Sequence, residues 1–217
     1  MAIKNTNLGG TDWATNDYLL STDLNDTFDA AYDKLKEKTT FWRLSEWYTV
    51  YDSFASVVSS SLWSTSGSVV HSATNLAGGD ASGEAKVSVG RNSTSYIVSN
   101  ALPNNKNAYH FKGYFVTIPG STSGNLHYIM YFRQRNGTLT QMFDSSTFNA
   151  NPTLSFYFSI LVVKTASDTY DVYMGGKNLV TISDSDLEFG IAISDNQTSA
   201  NDGSATVYID DVRYTNE

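Results

Sequence analysis

From residue 42 onward, short apolar segments alternate with turn-forming residues at close intervals. The turn signals include Ser66-Gly67, Pro103-Asn104, Asn136-Gly137 and Gly175-Gly176, and these residue types supply the backbone angles that tight turns need. The segments between them are rich in β-branched and aromatic residues and show a period of two, which is typical of strands. Many short strands without a second helical pattern predict two packed antiparallel sheets.

Individual strands can be predicted from these boundaries. The Asn136-Gly137 pair lies between two alternating segments and is the strongest hairpin signal in the chain, because Asn-Gly favours the type I′ turn of two-residue loops. The predicted strands are 47–58, 68–73, 84–90, 94–99, 109–117, 126–134, 138–144, 153–165, 169–174, 178–182, 187–194 and 204–214. We therefore predict an all-β domain, a two-sheet antiparallel β-sandwich over residues 41–217.

Composition excludes several classes of partner and chemistry. The formal net charge is −8, which repels phosphate backbones and anionic lipid surfaces, so no nucleic-acid partner is expected. The absence of cysteine excludes thiolate catalysis, thiolate metal sites and disulfides. The longest apolar run, Phe156 to Val163, is too short to cross a bilayer, so membrane insertion is not expected. It predicts a strand buried on both faces.

The N-terminal region has a different pattern. Residues 1–20 have neither helical nor strand period and are predicted to form an extended arm with Trp13 among its few apolar residues. Residues 21–40 are predicted to form a helix, since acidic residues begin the segment and lysines end it. One apolar stripe runs along that helix and consists of Leu24, Phe28, Ala31 and Leu35. The stripe packs either on this chain's own sandwich or on copies of itself as a short coiled coil.

The order of motifs in the β region is similar to that of a known group of domains. Thr169–Lys177, Leu187–Ile193 and Ala205–Tyr214 follow one another as a strand with a glycine turn, a Gly-Ile strand and a closing Ile-Asp-Asp-Val strand. Upstream are Tyr51-Asp52-Ser53-Phe54 and Trp63 with Gly67 four residues later. Together these resemble concanavalin A-like and laminin-G-like jelly rolls and related carbohydrate-binding modules. The resemblance implies a lectin-like jelly-roll β-sandwich.

A second resemblance covers the N-terminal region. Gly10-Thr11-Asp12-Trp13, followed by Leu19 to Phe28, is similar to the N-terminal segment of tailed-phage and related virus structural proteins. It implies that residues 1–40 attach the chain to other virion proteins or make it a homo-oligomer, with a trimer favoured. The residues expected to mediate assembly are Trp13, Leu24, Phe28, Ala31 and Leu35.

One group of acidic residues is a candidate for metal binding. Asp210 and Asp211 lie on the last predicted strand, and Asp195 and Asp202 flank the preceding loop. Carboxylate oxygens are the ligands that Ca²⁺ prefers, and jelly rolls of the kind this chain resembles often hold a structural calcium near such a strand. The alternative is that Asp210 and Asp211 face opposite sides of an edge strand. No other cofactor is expected.

An acidic strand raises the question of catalysis. Asp184, Asp186 and Glu188 are spaced two apart, so on a strand they share one face, and they resemble the acidic strand of laminarinase-type glycosidases. The first residue is Asp where that family has Glu, and the predicted strand begins only at Leu187. We therefore expect no enzymatic activity, and glycoside hydrolysis is the least favoured alternative.

Tyrosines are the remaining candidate functional residues, because the apolar face of a pyranose stacks on aromatic rings. Most aromatic residues of a sandwich fill its core, so the outward-facing ones matter. The strand tyrosines considered are Tyr128, Tyr131, Tyr157, Tyr170, Tyr173 and Tyr208.

The sequence predicts a phage-like virion protein that displays a lectin-like domain, with a host-surface glycan or receptor as its target. The alternative is a free carbohydrate-binding module or lectin.

Overall fold

The computed structural model describes the β domain with several gaps. The described residues are 48–78, 83–100, 102–103, 106–119, 127–145, 153–183, 187–195 and 203–215. The predicted arm at 1–20 and helix at 21–40, with Trp13, Leu24, Phe28, Ala31 and Leu35, lie outside these residues. The described residues all belong to one compact unit, Tyr48–Glu217. No helix in the described part is long and apolar enough to span a membrane.

The described residues form thirteen strands. They are β1 Tyr48–Asp52, β2 Trp63–Ser66, β3 Ser68–Ser72, β4 Glu84–Val89, β5 Thr94–Ser99, β6 Ala108–Ile118, β7 Tyr128–Gln134, β8 Leu139–Asp144, β9 Ser155–Ala166, β10 Thr169–Met174, β11 Lys177–Ser183, β12 Phe189–Asp195 and β13 Ser204–Thr215. An eight-stranded sheet has the order β11-β10-β9-β6-β13-β4-β3, with β1 paired to one end of β13. A five-stranded sheet has the order β2-β5-β12-β7-β8.

Both sheets are antiparallel throughout, so the predicted two-sheet sandwich is confirmed. Alternate residues of each sheet point into one shared core. Phe111 and Phe115 of β6 are buried there, as are Val207 and Ile209 of β13. Their ring contacts cross between the sheets, since Phe111 lies 5.2 Å from Phe189 of β12 by ring centroids.

A carboxylate fixes the beginning of the domain. Asp52 Oδ1 accepts a hydrogen bond from the Phe54 amide at 2.8 Å, and Oδ2 accepts one from the Trp63 indole at 2.6 Å. Phe54 has φ 49°, a left-handed conformation that interrupts a strand. Both rings are buried and lie 5.3 Å apart. The Asp-x-Phe and Trp motifs of the sequence therefore meet in one packed corner.

Most predicted strands are confirmed, with two corrections in this corner. The predicted strand 47–58 is too long, because β1 ends at Asp52, just before the left-handed Phe54. Strand β2, Trp63–Ser66, was not predicted, since its exposed Ser-Thr-Ser sequence has no apolar alternation. The Asn136-Gly137 hairpin between β7 and β8 is confirmed. Only Gly137 of this pair has a positive φ, 94°, so the turn is not of type I′, which needs a positive φ at both residues.

The predicted burial of both faces from Phe156 to Val163 is wrong for the first half of β9. Tyr157 and Ser159 are exposed, while Phe158 and Ile160 between them are buried. The alternation is hidden in the sequence, because Tyr157 stands between two phenylalanines and tyrosine is itself counted as a hydrophobic residue. The strand therefore buries one face there and presents a tyrosine to solvent on the other.

Gly113 of β6 allows the core to close behind this outer face. A Cβ at Gly113 would lie 2.2 Å from the Phe158 ring, so that ring occupies the place of a side chain. We expect Gly113→Ala to lower the free energy of unfolding by about 1–3 kcal/mol, the usual cost of overpacking. Urea titration followed by tryptophan fluorescence measures this change.

Gly90→Ala is the matched control, since a Cβ there meets nothing within 4 Å. Its free energy of unfolding should stay within about 0.5 kcal/mol of the parent. Equal effects of the two substitutions would contradict the packing of Phe158 on Gly113.

Candidate functional site

Four adjacent strands of the eight-stranded sheet place three tyrosines and a lysine side by side on the outer face. Tyr208 of β13 pairs with Tyr114 of β6, and Tyr114 pairs with Tyr157 of β9. Lys86 of β4 pairs with Tyr208 on the other side. We call Tyr208, Tyr114 and Tyr157 the tyrosine row. It runs across the strands, because residues in register lie side by side.

The rings of the tyrosine row are close to one another and open to solvent. The centroids of Tyr114 and Tyr157 are 4.9 Å apart, and those of Tyr114 and Tyr208 are 6.3 Å apart. Tyr157 is 71% exposed, which is unusual for a large aromatic side chain in a strand. The Lys86 ammonium lies 6.0 Å from the Tyr208 centroid, at the limit of a cation–π contact.

Polar groups border the tyrosine row on both sides. On one side the Ser88 and Thr206 hydroxyls are 3.1 Å apart, and exposed Ser155 lies on β9, two strands from Thr206. On the other side Lys112 is in register with exposed Ser159. These groups can donate to and accept from the hydroxyls of a ligand that lies on the rings.

Burial raises the pKa of Tyr208, and the nearby Glu84 carboxylate and Tyr114 add to the increase. Glu84 is fully buried and accepts hydrogen bonds from the Thr74 hydroxyl at 2.5 Å and the Ala77 amide at 2.9 Å. The Tyr208 phenol therefore stays neutral at physiological pH. A neutral phenol both donates and accepts hydrogen bonds.

A buried ion cluster joins β13 and β6 beside the tyrosine row. Asp211 lies in a bulge of β13 with φ 60°. Its carboxylate accepts from Arg213 Nε at 2.7 Å and Nη2 at 2.6 Å, and from Lys112 Nζ of β6 at 3.1 Å. Asp211 and Arg213 are almost fully buried, so this pairing ties β13 to β6 and removing one partner would be costly.

His110 lies beside this cluster, in register with Arg213. Its pKa is lowered from 6.5 to about 4, chiefly by burial; the positive charges of Lys112 and Arg213 contribute to the decrease, and the Asp211 carboxylate opposes it. Its Nδ1 is buried without a hydrogen-bond partner. The imidazole is therefore neutral in the folded protein at physiological pH.

The predicted calcium ligands are distributed over both sheets. Asp211 lies in the β13 bulge with Asp210 directly before it, whereas Asp195 ends β12 of the five-stranded sheet and accepts from the Asn92 amide at 3.1 Å. Both oxygens of Asp211 face cationic donors, and Asp202 lies outside the described residues. Within the described ranges no three His, Asp or Glu side chains are grouped to hold a metal. Calcium binding stays a prediction.

The acidic strand considered for catalysis is only partly described. Asp184 and Asp186 lie outside the described residues, and β12 begins at Phe189. Glu188 forms an ion pair with Arg135 of the β7–β8 turn. This pairing gives Glu188 a partner within the fold.

The six tyrosines considered from the sequence separate into two groups. Tyr128 and Tyr170 are fully buried in the core, whereas Tyr131, Tyr157, Tyr173 and Tyr208 lie on outer faces. Sequence reasoning missed Tyr114 and Lys86. Polar His110 and Lys112 alternate with buried Phe111 and Gly113 before Tyr114, and this alternation already assigns Tyr114 to the outer face.

Comparisons with known proteins were made by sequence and by structure. No family model and no curated protein matches the chain. Among solved structures, the Emp47p carbohydrate recognition domain aligns with a TM-score of 0.42 and 11% identity, over 79% of this chain and 98% of that one. The carbohydrate-binding module CBM66 from Bacillus subtilis aligns at 0.35 and 15%, over 70% and 95%.

A third neighbour is a botulinum neurotoxin type C structure, whose cell entry is described as dependent on two ganglioside molecules. It aligns with a TM-score of 0.39 and 10% identity, over 81% of this chain but only 49% of that one. The neighbours are thus lectin-like and carbohydrate-binding domains. With identities of 15% or less and TM-scores below 0.5, these similarities assign no function to this chain.

The lowered pKa of His110 predicts a pH dependence of stability. The unfolded chain takes up a proton near pH 6.5, while the folded protein does so only near pH 4, so stability falls as the pH decreases between these values. From pH 7 to pH 5 the loss from this group is about 2 kcal/mol. In His110→Gln this part of the loss should vanish, which urea titrations at the two pH values measure.

Carboxylates contribute to the same profile, so the difference between parent and variant is the quantity to compare. His127→Gln is the control, because His127 is partly exposed. If His110→Gln lost as much stability as the parent between pH 7 and pH 5, His110 would not be buried in its neutral form.

Proposed function

We propose that the β domain binds carbohydrate on the outer face of its eight-stranded sheet, with sugar rings stacked on the tyrosine row. The observation that carries this proposal is the register of Tyr208, Tyr114 and Tyr157 on three adjacent strands, with Tyr157 exposed to 71%. Three neighbouring aromatic rings form an exposed apolar patch on the sheet, and such patches commonly mark a surface that binds a partner.

The chemistry of the row suits a neutral sugar chain. Tyrosine rings offer flat apolar surface with a polar hydroxyl at the edge, and a pyranose has an apolar face with hydroxyls at its rim. The Ser88–Thr206 pair and Ser159 border the rings with further hydroxyls. Since hydrogen bonds to these groups fix orientation while stacking supplies contact area, both parts of a sugar find partners.

The direction of the row indicates how a ligand lies. Neighbouring strands are about 4.8 Å apart, and the row crosses three of them. A glycan that contacts all three rings therefore runs across the strands and engages more than one sugar unit. Lys86 stands at the Tyr208 end of the row, where it can donate to ring or hydroxyl oxygens of the terminal unit.

Single alanine substitutions in the row test this site. After a panel of neutral polysaccharides has identified a ligand, we expect Tyr114→Ala, Tyr157→Ala and Tyr208→Ala each to weaken binding about tenfold, or about 1.4 kcal/mol. The reason is the loss of one stacking surface. Isothermal titration calorimetry measures the affinity, and Tyr157→Phe should retain most of it because the ring remains.

Tyr173→Ala is the matched control on the same sheet. Its ring lies on β10, outside the row, and its hydroxyl bonds to Asp171 at 3.2 Å. Binding that is as weak in Tyr173→Ala as in Tyr157→Ala, or unchanged in both, would contradict a site on the tyrosine row.

We further propose that this domain is displayed on a virion, with residues 1–40 providing attachment. The support is the sequence of that segment, namely the Trp13 motif and the apolar stripe of Leu24, Phe28, Ala31 and Leu35. A free carbohydrate-binding module would use the same β domain unchanged. The two proposals differ only in what residues 1–40 do.

Oligomeric state distinguishes these proposals. For the virion protein we expect the full chain to have a solution mass of three times 23.8 kDa, because we propose that the predicted apolar stripe pairs with copies of itself as a short coiled coil. A Leu24→Asp, Phe28→Asp double variant should be a monomer. Light scattering measures both masses, and a parent chain that is itself a monomer would contradict the trimer and favour the free module.

A further inference from the structure

The outer face of the five-stranded sheet has a different character from the tyrosine row. Its central strand, β12, turns only small residues outward, while larger side chains stand on the strands at either side. We call this surface the arginine groove. Its floor is Gly190, Ala192 and Ser194, and its walls are Tyr96 of β5 with Tyr131 and Arg133 of β7.

Arg133 crosses the groove. It is in register with Gly190 on β12, but its guanidinium carbon lies 4.1 Å from the ring centroid of Tyr96 on the far side of β12. The side chain therefore passes over the small residues of the floor. Its Nη1 donates a long hydrogen bond, 3.4 Å, to the carbonyl of Gly137 in the β7–β8 turn, so the guanidinium is held between a ring and a turn.

The charge of Arg133 has no carboxylate partner among the described residues. The nearby Arg135, in contrast, is paired with Glu188. A guanidinium carries five N–H donors, and the bond to Gly137 uses one of them. Its Nε is buried without an acceptor. The groove thus contains a positioned positive charge in a chain whose net charge is −8.

Ser194 is a second unpartnered group on the floor. It is only 7% exposed, and its hydroxyl has no hydrogen-bond partner. It lies two positions along β12 from Ala192, the residue in register with both Tyr96 and Tyr131, at a distance of about 7 Å. A buried hydroxyl without a partner costs free energy that a ligand hydroxyl can recover.

We propose that the arginine groove is a second glycan site and takes a sugar that bears a carboxylate. The carboxylate accepts hydrogen bonds from the Nη groups of Arg133, since this pairing is charge-assisted and matches the planar guanidinium. The sugar ring lies against Tyr131, and a ring hydroxyl reaches Ser194. This site is on the opposite face of the sandwich from the tyrosine row and does not depend on it.

The net negative charge does not oppose this assignment. Physiological salt screens charges beyond about 8 Å, so the bound carboxylate responds chiefly to the groups it touches. Those groups include one uncompensated guanidinium. The global field slows association and leaves the contact itself favourable.

Trigalacturonate and its methyl ester are the probes, titrated into the full chain and followed by calorimetry and by NMR. We expect the acid to bind and the ester, which lacks the charge, to bind at least tenfold more weakly. Arg133→Gln should weaken binding of the acid at least tenfold. Arg133→Lys should recover only part of the loss, because a lysine keeps the charge without the planar fork.

Lys177→Gln is the control, since it changes the net charge equally at an exposed turn of the other sheet. It should leave affinity unchanged, and so should Tyr173→Ala on β10, which lies outside the arginine groove and outside the tyrosine row. Thermal unfolding of each variant checks that the substitution leaves the fold intact.

Several results would overturn the proposal. They are no binding of trigalacturonate at millimolar concentration, equal affinity in Arg133→Gln, or a loss confined to Tyr157→Ala, which would place the ligand on the tyrosine row. Displacement by an equal concentration of acetate would also overturn it, because the groove would then recognise a carboxylate without the sugar. The tyrosine-row proposal is tested by neutral ligands, so the two can fail separately.

Discussion

The structure depends on the register of four strands, β4, β13, β6 and β9. Because side chains alternate between the faces of a strand, a shift of one residue would turn Tyr208, Tyr114 and Tyr157 into the core. The same shift would expose buried residues such as Val207 and Phe115. The core and the tyrosine row are therefore two consequences of one pairing, and the apolar face that must be buried determines which tyrosines face solvent.

Two local features secure this register. Gly113 of β6, in register with Phe158 of β9, leaves the space in the core that the Phe158 ring occupies. The Asp211 carboxylate, in the bulge of β13, binds Arg213 of the same strand and Lys112 of the neighbouring strand β6. The bulge begins only after Asp210, so the pairing stays regular across Tyr208 and becomes irregular beyond it. A regular sheet is what allows three rings to lie side by side.

The strands and the sandwich could be predicted from the sequence because turn residues and alternation are local signals. Strand β2 could not, since Trp63–Ser66 has no alternation and is positioned by the Trp63–Asp52 hydrogen bond, a contact between distant residues. The outward position of Tyr114 follows from its neighbours. Its alignment with Tyr208 and Tyr157 does not, because pairing between strands far apart in sequence leaves no local signal. The same is true of Arg133 and Tyr96.

Contact between the tyrosine row and a glycan can be measured ring by ring. Incorporation of 3-fluorotyrosine, with the Tyr157, Tyr114 and Tyr208 signals assigned by single Tyr→Phe variants, allows each ring to be followed by ¹⁹F NMR during titration with a neutral oligosaccharide. We expect these three signals to shift with one common affinity while those of the buried Tyr128 and Tyr170 stay in place. Shifts at other tyrosines, with the row unchanged, would contradict it.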